Sequence, residues 1–418
     1  MTETALWHSQ ALMSAVKRGE IVIARGEGAY LWDEQGRRYL DAPAGLWYCN
    51  IGHGRKEIAD AVARQMAQIE TYHTFQQFAT RPPIDLAARI AELAPIPDAK
   101  VFLTSGGSDA IDAAGKLARR YWSAMGKHEK RTIVTRERAY HGLHTLGTSI
   151  IGLDINREGL GPLVADTVRV GTNDATELEA VVDELGADSI AAYFAEPIVG
   201  TGGVIHPAPG YFETVQRICR ENDILFVADE VITGFGRTGE WFATQRFGLE
   251  PDMMTMAKGI TSGYLPLGGV VVGERVWEPF WEDGSDLIFR HGLTYAGHAS
   301  VCAAAMANLD IIEREGLVAR VRELEPVLAT ALRPLQTHEL VEEVRTGIGL
   351  LTGIVLHDPA VAGRVAGRCL EKGVLGRTLP DGVLHVSPPF VITEEDIGFL
   401  AEAIAEALDE EAAAAVAA

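Results

Sequence analysis

The segment Phe226-Val-Ala-Asp229-Glu230-Val-Ile-Thr-Gly-Phe-Gly-Arg237 places two acidic residues directly after a short apolar run, and Met253-Met-Thr-Met-Ala-Lys258-Gly259 places a lysine after another. Both runs are short and almost wholly apolar, as expected for strands that a parallel sheet buries on both faces. Open α/β sheets bind their ligands at the carboxyl ends of their strands. The two segments therefore predict a site that contains Asp229 and Lys258.

The sequence around these segments predicts an α/β fold. Between about residues 98 and 275, short apolar or β-branched runs alternate with helical patterns, which is typical of a mostly parallel sheet covered by helices on both faces. The predicted strands are 100–104, 132–135, 189–195, 224–228, 253–256 and 269–272. The predicted helices of this region are 108–122 and 210–221.

The two ends of the chain predict a smaller α+β domain. Residues 29–41 form a predicted β-hairpin, because apolar runs flank the turn-forming group Asp33-Glu34-Gln35-Gly36. Near the other end lie a long helical pattern, a strand-like stretch and a final helix, at 306–335, 344–356 and 394–411. We predict a small domain from residues 1–44 and 315–418, and a large domain from residues 45–314.

The composition limits the possible partners. The 418 residues are 47% hydrophobic and carry a formal net charge of −21, which fits a globular protein and disfavours binding to nucleic acid or anionic membranes. The longest stretch without a charged residue, 291–309, contains two histidines and an asparagine and is a poor membrane span. Four widely spaced cysteines and no basic, apolar leader indicate the reducing cytoplasm. No metal site is expected.

The turn Thr104-Ser105-Gly106-Gly107-Ser108-Asp109-Ala110 lies between a predicted strand and a predicted helix. Exposed backbone N–H groups and the helix dipole at such a turn favour an anion, so the turn is a candidate phosphate site. An N-cap role for Ser108 explains the same pattern. The turn alone leaves both interpretations open.

The acidic pair and the lysine each allow several kinds of chemistry. A carboxylate at position 229 or 230 suits a magnesium ligand, a general base or the partner of a protonated ring nitrogen, while an ion pair with Arg237 is the structural alternative. Desolvation at a strand end lowers the pKa of a lysine toward the range where its amine is nucleophilic. Schiff-base chemistry at Lys258 is therefore the leading hypothesis, against a lysine that merely extends into solvent.

Taken in order, these motifs resemble the class III, or ω-, aminotransferases, which are pyridoxal-phosphate enzymes of fold type I. The resemblance covers almost the whole chain and rests on Gly107-Ser108, Ala139-Tyr140-His141-Gly142, Glu196-Pro197, Asp229-Glu230-Val231, Lys258-Gly259 and the loop from His291 through Thr294 to His298. The chain departs from the family's Ser-Gly-Ser-Glu-Ala turn, because Gly106 replaces the first serine and Asp109 the glutamate.

The resemblance implies a role for each matching residue. Lys258 would bind pyridoxal phosphate covalently and carry the substrate proton, and Asp229 would keep the pyridine nitrogen protonated. Tyr140 and Val231 would cover the two faces of the ring. The cofactor-binding residues implied are Gly107, Ser108, Tyr140, His141, Glu196, Asp229, Val231, Lys258 and Thr294, of which Lys258, Asp229 and Tyr140 are the expected catalytic residues.

Thr294 resembles the residue that reaches the phosphate of the neighbouring subunit. This match implies a homodimer with shared sites, and leaves open whether dimers pair into tetramers. The histidines on either side of it, His291 and His298, are expected to form hydrogen bonds at that interface.

Substrate recognition follows from a second set of matches. Ala44-Gly45-Leu46-Trp47-Tyr48 resembles the amine:pyruvate and β-alanine:pyruvate branch, in which the tryptophan forms a wall of the pocket. Arg377 resembles the mobile arginine that binds a carboxylate through its planar fork and moves aside for an uncharged amine. A core aromatic and a surface ion pair are the structural alternatives for Trp47 and Arg377. The remaining substrate-binding residues implied are Phe75 of the neighbouring subunit, Thr201 and Ile232.

We therefore expect a transaminase that moves an amino group from a primary amine or ω-amino acid to a 2-oxo acid, with pyruvate as the expected acceptor. A glutamate-dependent class III aminotransferase and an aminomutase are the alternatives within the family. A Schiff-base aldolase would not need the phosphate turn and Asp229. A non-enzymatic binding protein with this fold would not need Lys258.

Overall fold

The computed structural model describes residues 4–417, with side chains through residue 415. The strands are β1 Ile23–Glu27, β2 Tyr30–Asp33, β3 Arg38–Asp41, β4 Lys100–Thr104, β5 Thr132–Arg136, β6 Thr167–Val170, β7 Ile190–Ala195, β8 Leu225–Asp229, β9 Met253–Met256, β10 Gly268–Val272, β11 Val341–Arg345, β12 Thr352–Leu356, β13 Val374–Leu375, β14 Arg377–Leu379 and β15 Val383–Val386. The helices are α1 Met13–Val16, α2 Ala44–Trp47, α3 Lys56–Gln68, α4 Arg81–Leu93, α5 Gly107–Ala124, α6 Thr145–Ile150, α7 Ala175–Leu185, α8 Tyr211–Glu221, α9 Ala243–Arg246, α10 Glu274–Trp281, α11 Ala299–Arg314, α12 Leu317–Leu332, α13 Pro359–Glu371 and α14 Glu394–Ala417.

A seven-stranded sheet forms the centre of the molecule, with the strand order β4-β10-β9-β8-β7-β5-β6. Strands β5 to β9 are parallel, and β10 runs antiparallel to both β4 and β9. The six predicted strands of this region are confirmed to within one residue at each end. The edge strand β6 was not predicted, because its alternating, half-exposed sequence Thr-Val-Arg-Val lacks the apolar run of a buried strand.

Helices cover both faces of this sheet, and the side chains of β8 alternate between them. Val227 packs into the core beneath α5, whereas Phe226 packs into the opposite core with α7 and α8. Because side chains two residues apart share a face, Asp229 lies on the same side of the strand as Val227. The end of β8 therefore presents the Asp229 carboxylate toward the start of α5.

Strands from the two terminal regions of the chain share one sheet. Strands β1 to β3 form a sheet with β13 from the C-terminal region, while β11, β12, β15 and β14 form another. The hairpin of β2 and β3 is confirmed, and the Asp33 carboxylate accepts hydrogen bonds from the backbone N–H groups of Gln35 and Arg37 in its turn. The domain boundaries at residues 44 and 315 stay a prediction.

Two C-terminal elements differ from the predictions. The long helical pattern divides into α11 and α12 at Gly316, whose φ of +62° is one that glycine adopts readily. The single strand-like stretch is a hairpin of β11 and β12. Among residues 4–417, no helix is long and apolar enough to cross a membrane.

Candidate functional site

A cavity of about 510 Å³ opens where β8 and β9 end and α5 begins. The predicted site residues that line it are Gly107, Ser108, Tyr140, His141, Glu196, Asp229, Val231, Ile232 and Lys258. The structure thus brings together at one cavity residues that are separated by up to 151 positions in the sequence. The lining also includes the turn residues Ser105 and Gly106.

Lys258 reaches the cavity from a strained backbone position just after β9. Its φ of +47° lies in the left-handed region, which costs a non-glycine residue on the order of 1–3 kcal/mol. Desolvation lowers the pKa of the Lys258 amine from 10.5 to about 8, and the nearby Arg377 adds to this effect. Asp229 and Glu196 oppose it. The amine is therefore much more easily deprotonated than that of a solvated lysine.

The Asp229 carboxylate is held by three neighbouring groups. One oxygen accepts hydrogen bonds from the Thr255 hydroxyl at 3.0 Å and from the Val231 N–H at 3.1 Å. The other lies 2.7 Å from Nδ1 of His141. Because an ionised carboxylate can only accept hydrogen bonds, the His141 ring donates through Nδ1, and its Nε2 lies 3.0 Å from the Thr135 hydroxyl. His141 thereby fixes the orientation of Asp229.

Glu196 organises the loop that carries Tyr140. Its buried carboxylate accepts hydrogen bonds from the backbone N–H groups of Tyr140 at 3.1 Å and Gly200 at 2.8 Å. Burial raises the pKa of the Glu196 carboxyl above its usual value, and the nearby Asp229 contributes in the same direction. Burial also raises the pKa of the Tyr140 hydroxyl.

The glycine-rich turn presents the amino end of α5 to the cavity. The helix starts at Gly107, after an N-cap residue Gly106, so the N-cap interpretation of Ser108 is wrong. The Ser108 hydroxyl instead accepts a hydrogen bond from the N–H of Leu143 at 3.1 Å. A Cβ at Gly107 would lie 3.0 Å from the Val231 side chain, so glycine keeps this wall of the cavity open. First-turn N–H groups have no acceptor within their helix and can bind an anion.

Trp47, Arg377 and His385 pack together beside this cavity. The Arg377 guanidinium carbon lies 4.2 Å from the centre of the Trp47 ring, and the Lys258 amine lies 5.9 Å from it. The ring of the buried His385 lies 4.3 Å from the same indole. Within the described chain, Nη1 of Arg377 and Nε1 of Trp47 are buried without a hydrogen-bond partner. Arg377 therefore stacks on an aromatic ring rather than forming the surface ion pair considered from the sequence.

Five predicted substrate or cofactor residues do not line the cavity: Trp47 and Arg377, which lie beside it, and Thr201, Phe75 and Thr294. Thr201 is buried in the loop after Gly200. Phe75 is 46% exposed and lines a second cavity of about 420 Å³ together with His291. Thr294 is exposed on the loop after His291. Their roles stay predictions.

The ion pair between Arg237 and the acids at 229 and 230, which was the structural alternative for these residues, does not form among the described residues. Glu230 accepts hydrogen bonds from the hydroxyls of Thr233 at 2.5 Å and Thr244 at 2.6 Å. The buried Arg237 guanidinium donates to the carbonyl oxygens of Leu350, Ser387 and Pro388 and to the side-chain oxygen of Asn50. Arg237 therefore connects segments of the fold and leaves Asp229 available to the cavity.

Sequence reasoning did not assign a role to several residues that shape the site. Tyr48 lines the cavity, while Thr255 and Thr135 position Asp229 and His141. The sequence does single out Thr255, because it is the one polar residue of the buried strand Met253-Met-Thr-Met256. No comparable feature of the sequence singles out His385.

Asp41, Cys49 and His53 form a separate group outside the cavity, with potential ligand atoms within 4.8 Å of one another. The Asp41 carboxylate already accepts a hydrogen bond from Gly45 N–H at 2.9 Å and lies 2.8 Å from Nε2 of His53. These bonds account for the grouping, and the expectation of no metal site stays a prediction.

The chain is similar to known proteins over almost its whole length. The sequence profile of the family Aminotransferase class-III matches residues 13–408. A putrescine–pyruvate aminotransferase of Pseudomonas aeruginosa is 37% identical, over 96% of this chain and 93% of its own length. A diaminobutyrate–2-oxoglutarate transaminase of Halomonas elongata is 36% identical, over 91% of this chain and 88% of its own. The PLP-bound crystal structure of an amine transaminase from an uncultivated Pseudomonas species is 34% identical and superposes with a TM-score of 0.92, covering 98% and 99% of the two chains.

Proposed function

The chain belongs to the class III aminotransferases, an α/β family of fold type I enzymes, and we propose that it transfers an amino group from a primary amine or ω-amino acid to pyruvate. The observation that carries the proposal is the convergence of the Lys258 amine, the Asp229 carboxylate and the amino end of α5 on one cavity. The similarity to a putrescine–pyruvate aminotransferase supports pyruvate as the acceptor.

The cavity fits pyridoxal phosphate, the cofactor that the family uses. The amino end of α5 suits a phosphate, the lowered pKa of Lys258 suits bonding to an aldehyde, and Asp229 suits a protonated ring nitrogen. When bound, the cofactor supplies an electron sink for the carbon whose proton is removed. Gly107 and Ser108 would hold the phosphate, while Tyr140 and Val231 would cover the two faces of the ring.

The protein's own groups then have distinct tasks. Nζ of Lys258 takes a proton from the substrate carbon and later returns one, which requires an amine that can be neutral near pH 7. Asp229 holds the proton on the ring nitrogen, and His141 keeps its carboxylate oriented. Glu196 fixes Tyr140 through the backbone.

Trp47 and Arg377 are proposed to recognise the substrates. A carboxylate that enters a partly dry cavity needs a cationic partner, and Nη1 of Arg377 is a buried donor without a partner in the described structure. The centre of the Trp47 ring lies 4.2 Å from the Arg377 guanidinium carbon, beside the cavity, and Ile232 lines the cavity itself. Thr201 follows Gly200, whose N–H binds Glu196, and is proposed to act at the edge of the same pocket.

A homodimer with shared sites accompanies this proposal. Phe75 and Thr294 lie apart from the main cavity in a single chain, at a region where several large apolar side chains are exposed. A second copy would place them at its own cavity. Static light scattering of the active enzyme checks this point, and an active monomer would refute it.

A substrate panel tests the proposed function. Putrescine, β-alanine and an arylalkyl amine are each incubated with pyruvate or with 2-oxoglutarate, and the amino-acid products are quantified. Alanine should form much faster than glutamate. Faster glutamate formation would instead favour the glutamate-dependent alternative, as in the 2-oxoglutarate-dependent relative. Lys258→Ala protein is the control for uncatalysed exchange.

A further inference from the structure

One guanidinium, that of Arg138, joins three segments around the proposed site. Its Nε and Nη2 donate hydrogen bonds to the carbonyl oxygen of Gly202 at 2.9 and 2.7 Å. Its Nη1 lies 2.7 Å from a carboxylate oxygen of Asp381. Arg138 itself precedes Tyr140 by two residues on the loop that faces the cavity. The side chain therefore links this loop to Gly202 and to Asp381.

The backbone of Arg138 is tightly constrained. Its φ of +63° lies in the left-handed region, and its N–H donates to the carbonyl oxygen of Gly152 at 3.1 Å. A Cβ at Gly202 would lie 2.0 Å from the Arg138 carbonyl oxygen, so only glycine allows this approach. Arg138 is a fixed anchor rather than a freely moving surface residue.

The other end of the ion pair belongs to the hairpin that carries Arg377. Asp381 lies in the turn Pro380–Gly382 between β14 and β15, four residues after Arg377. The two strands pair over only three residue pairs, one of which joins Arg377 to His385. β14 is the edge strand of its sheet, and its single strand neighbour among the described strands is β15. Backbone bonds over so few residues hold β14 weakly, so contacts at the turn influence where its residues lie.

We propose that the Arg138–Asp381 pair is a latch that positions Arg377 for binding the carboxylate of the acceptor. The proposal rests on the carboxylate-binding role of Arg377 given above. When the latch opens, the hairpin spends less time in the arrangement that binds the acceptor. The apparent affinity for the acceptor then falls in proportion to the fraction of the protein that keeps this arrangement. A neutral amine does not use the Arg377 charge and is unaffected.

The size of the effect follows from the exposure of the pair. The side chains are 34% and 62% exposed, so the free energy of this interaction should lie in the range measured for exposed ion pairs. That energy corresponds to a rise of about 1.5- to 5-fold in the Michaelis constant for pyruvate. Salt screens exposed pairs, so the ratio of variant to wild-type Michaelis constants should approach one at high salt.

The test compares two variants of the holoenzyme. Asp381→Asn removes the charge and keeps a residue type that tolerates the φ of +59° at this position. The matched control is Asp154→Asn, which removes an ion pair with Arg169 of the same 2.7 Å length, located away from the hairpin. The half-reaction with the amine donor and the half-reaction with pyruvate are each measured between about 0.05 and 0.5 M salt. Hydrogen–deuterium exchange is followed at residues 377–379.

Asp381→Asn should speed exchange in β14 and raise the Michaelis constant for pyruvate, while the amine half-reaction and the Asp154→Asn control stay unchanged. An unchanged rate of hydrogen–deuterium exchange in β14 would overturn the latch, whether or not Arg377 binds the acceptor. Faster exchange with an unchanged constant for pyruvate would overturn the positioning role. Arg377→Ala is assayed in parallel. If this variant also leaves the Michaelis constant for pyruvate unchanged, the proposed function of Arg377 has failed. If it raises that constant while Asp381→Asn does not, only the latch has failed.

Discussion

The lowered pKa of Lys258 gives a quantitative prediction about the reactivity of its amine. A shift from 10.5 to about 8 raises the neutral fraction at pH 7 from about 0.03% to about 9%, a gain of about 300-fold. Desolvation is the main cause, with Arg377 acting in the same direction and Asp229 and Glu196 opposing it. Two substitutions should therefore move the pKa in opposite directions.

Arg377→Met removes a cation that disfavours the protonated amine, so the pKa of Lys258 should rise. Asp229→Asn removes an anion that favours the protonated amine, so the pKa should fall further. The assay is competitive labelling of the protein with acetic anhydride between pH 6 and 11 after removal of the cofactor, with mass spectrometry of the Lys258 peptide. Lys372 is the internal control, because Glu406 and Glu410 raise its pKa.

A midpoint for Lys258 at or above 10 would refute the reasoning, since burial would then not govern the amine. Shifts of the same sign in the two variants would also refute it. In that case the substitutions would act through a common structural change rather than through their charges.

Three further substitutions test the proposed roles. Asp229→Asn should retain the cofactor by absorbance yet lose several orders of magnitude in turnover, because the carboxylate acts mainly in the transition state. Arg377→Ala should raise the Michaelis constant for pyruvate about 10- to 100-fold, the range for hydrogen bonds to charged groups, and leave the half-reaction with a neutral amine unchanged. Arg237→Lys should lower the free energy of unfolding by about 2–4 kcal/mol in denaturant titrations, because one ammonium cannot satisfy all four buried oxygens.

The central sheet could be predicted from the sequence because its buried strands are continuous apolar runs with little ambiguity. Every residue of β8 and β9 is buried, and both strands end within one residue of their predicted bounds. The division of the predicted helix at Gly316 was missed, because a hydrophobic pattern can continue across a break in the backbone. Edge strand β6 lacks such a pattern altogether.

The site could be predicted only as far as its strand ends. Lys258 and Asp229 follow apolar strands, a signal that a single segment carries. The hydrogen bond from Thr255 to Asp229 depends on the register between β8 and β9, which pairs these two residues. The Arg138–Asp381 pair joins two charged residues far apart in the chain, and nothing in the sequence of either segment indicates that they pair.

The charges around the cavity fit the proposal that one site serves two unlike substrates. Burial shifts the pKa of Lys258 downward and that of Glu196 upward, so both groups move toward their neutral forms. Asp229 is kept as an acceptor by three donors, and a guanidinium stays protonated even when partly buried. Asp229, in the lining of the cavity, and Arg377, beside it, therefore each favour a partner of opposite charge. In the proposed reaction, those partners would be the protonated ring nitrogen and the acceptor's carboxylate, while a donor without a carboxylate would contact the apolar lining of the cavity.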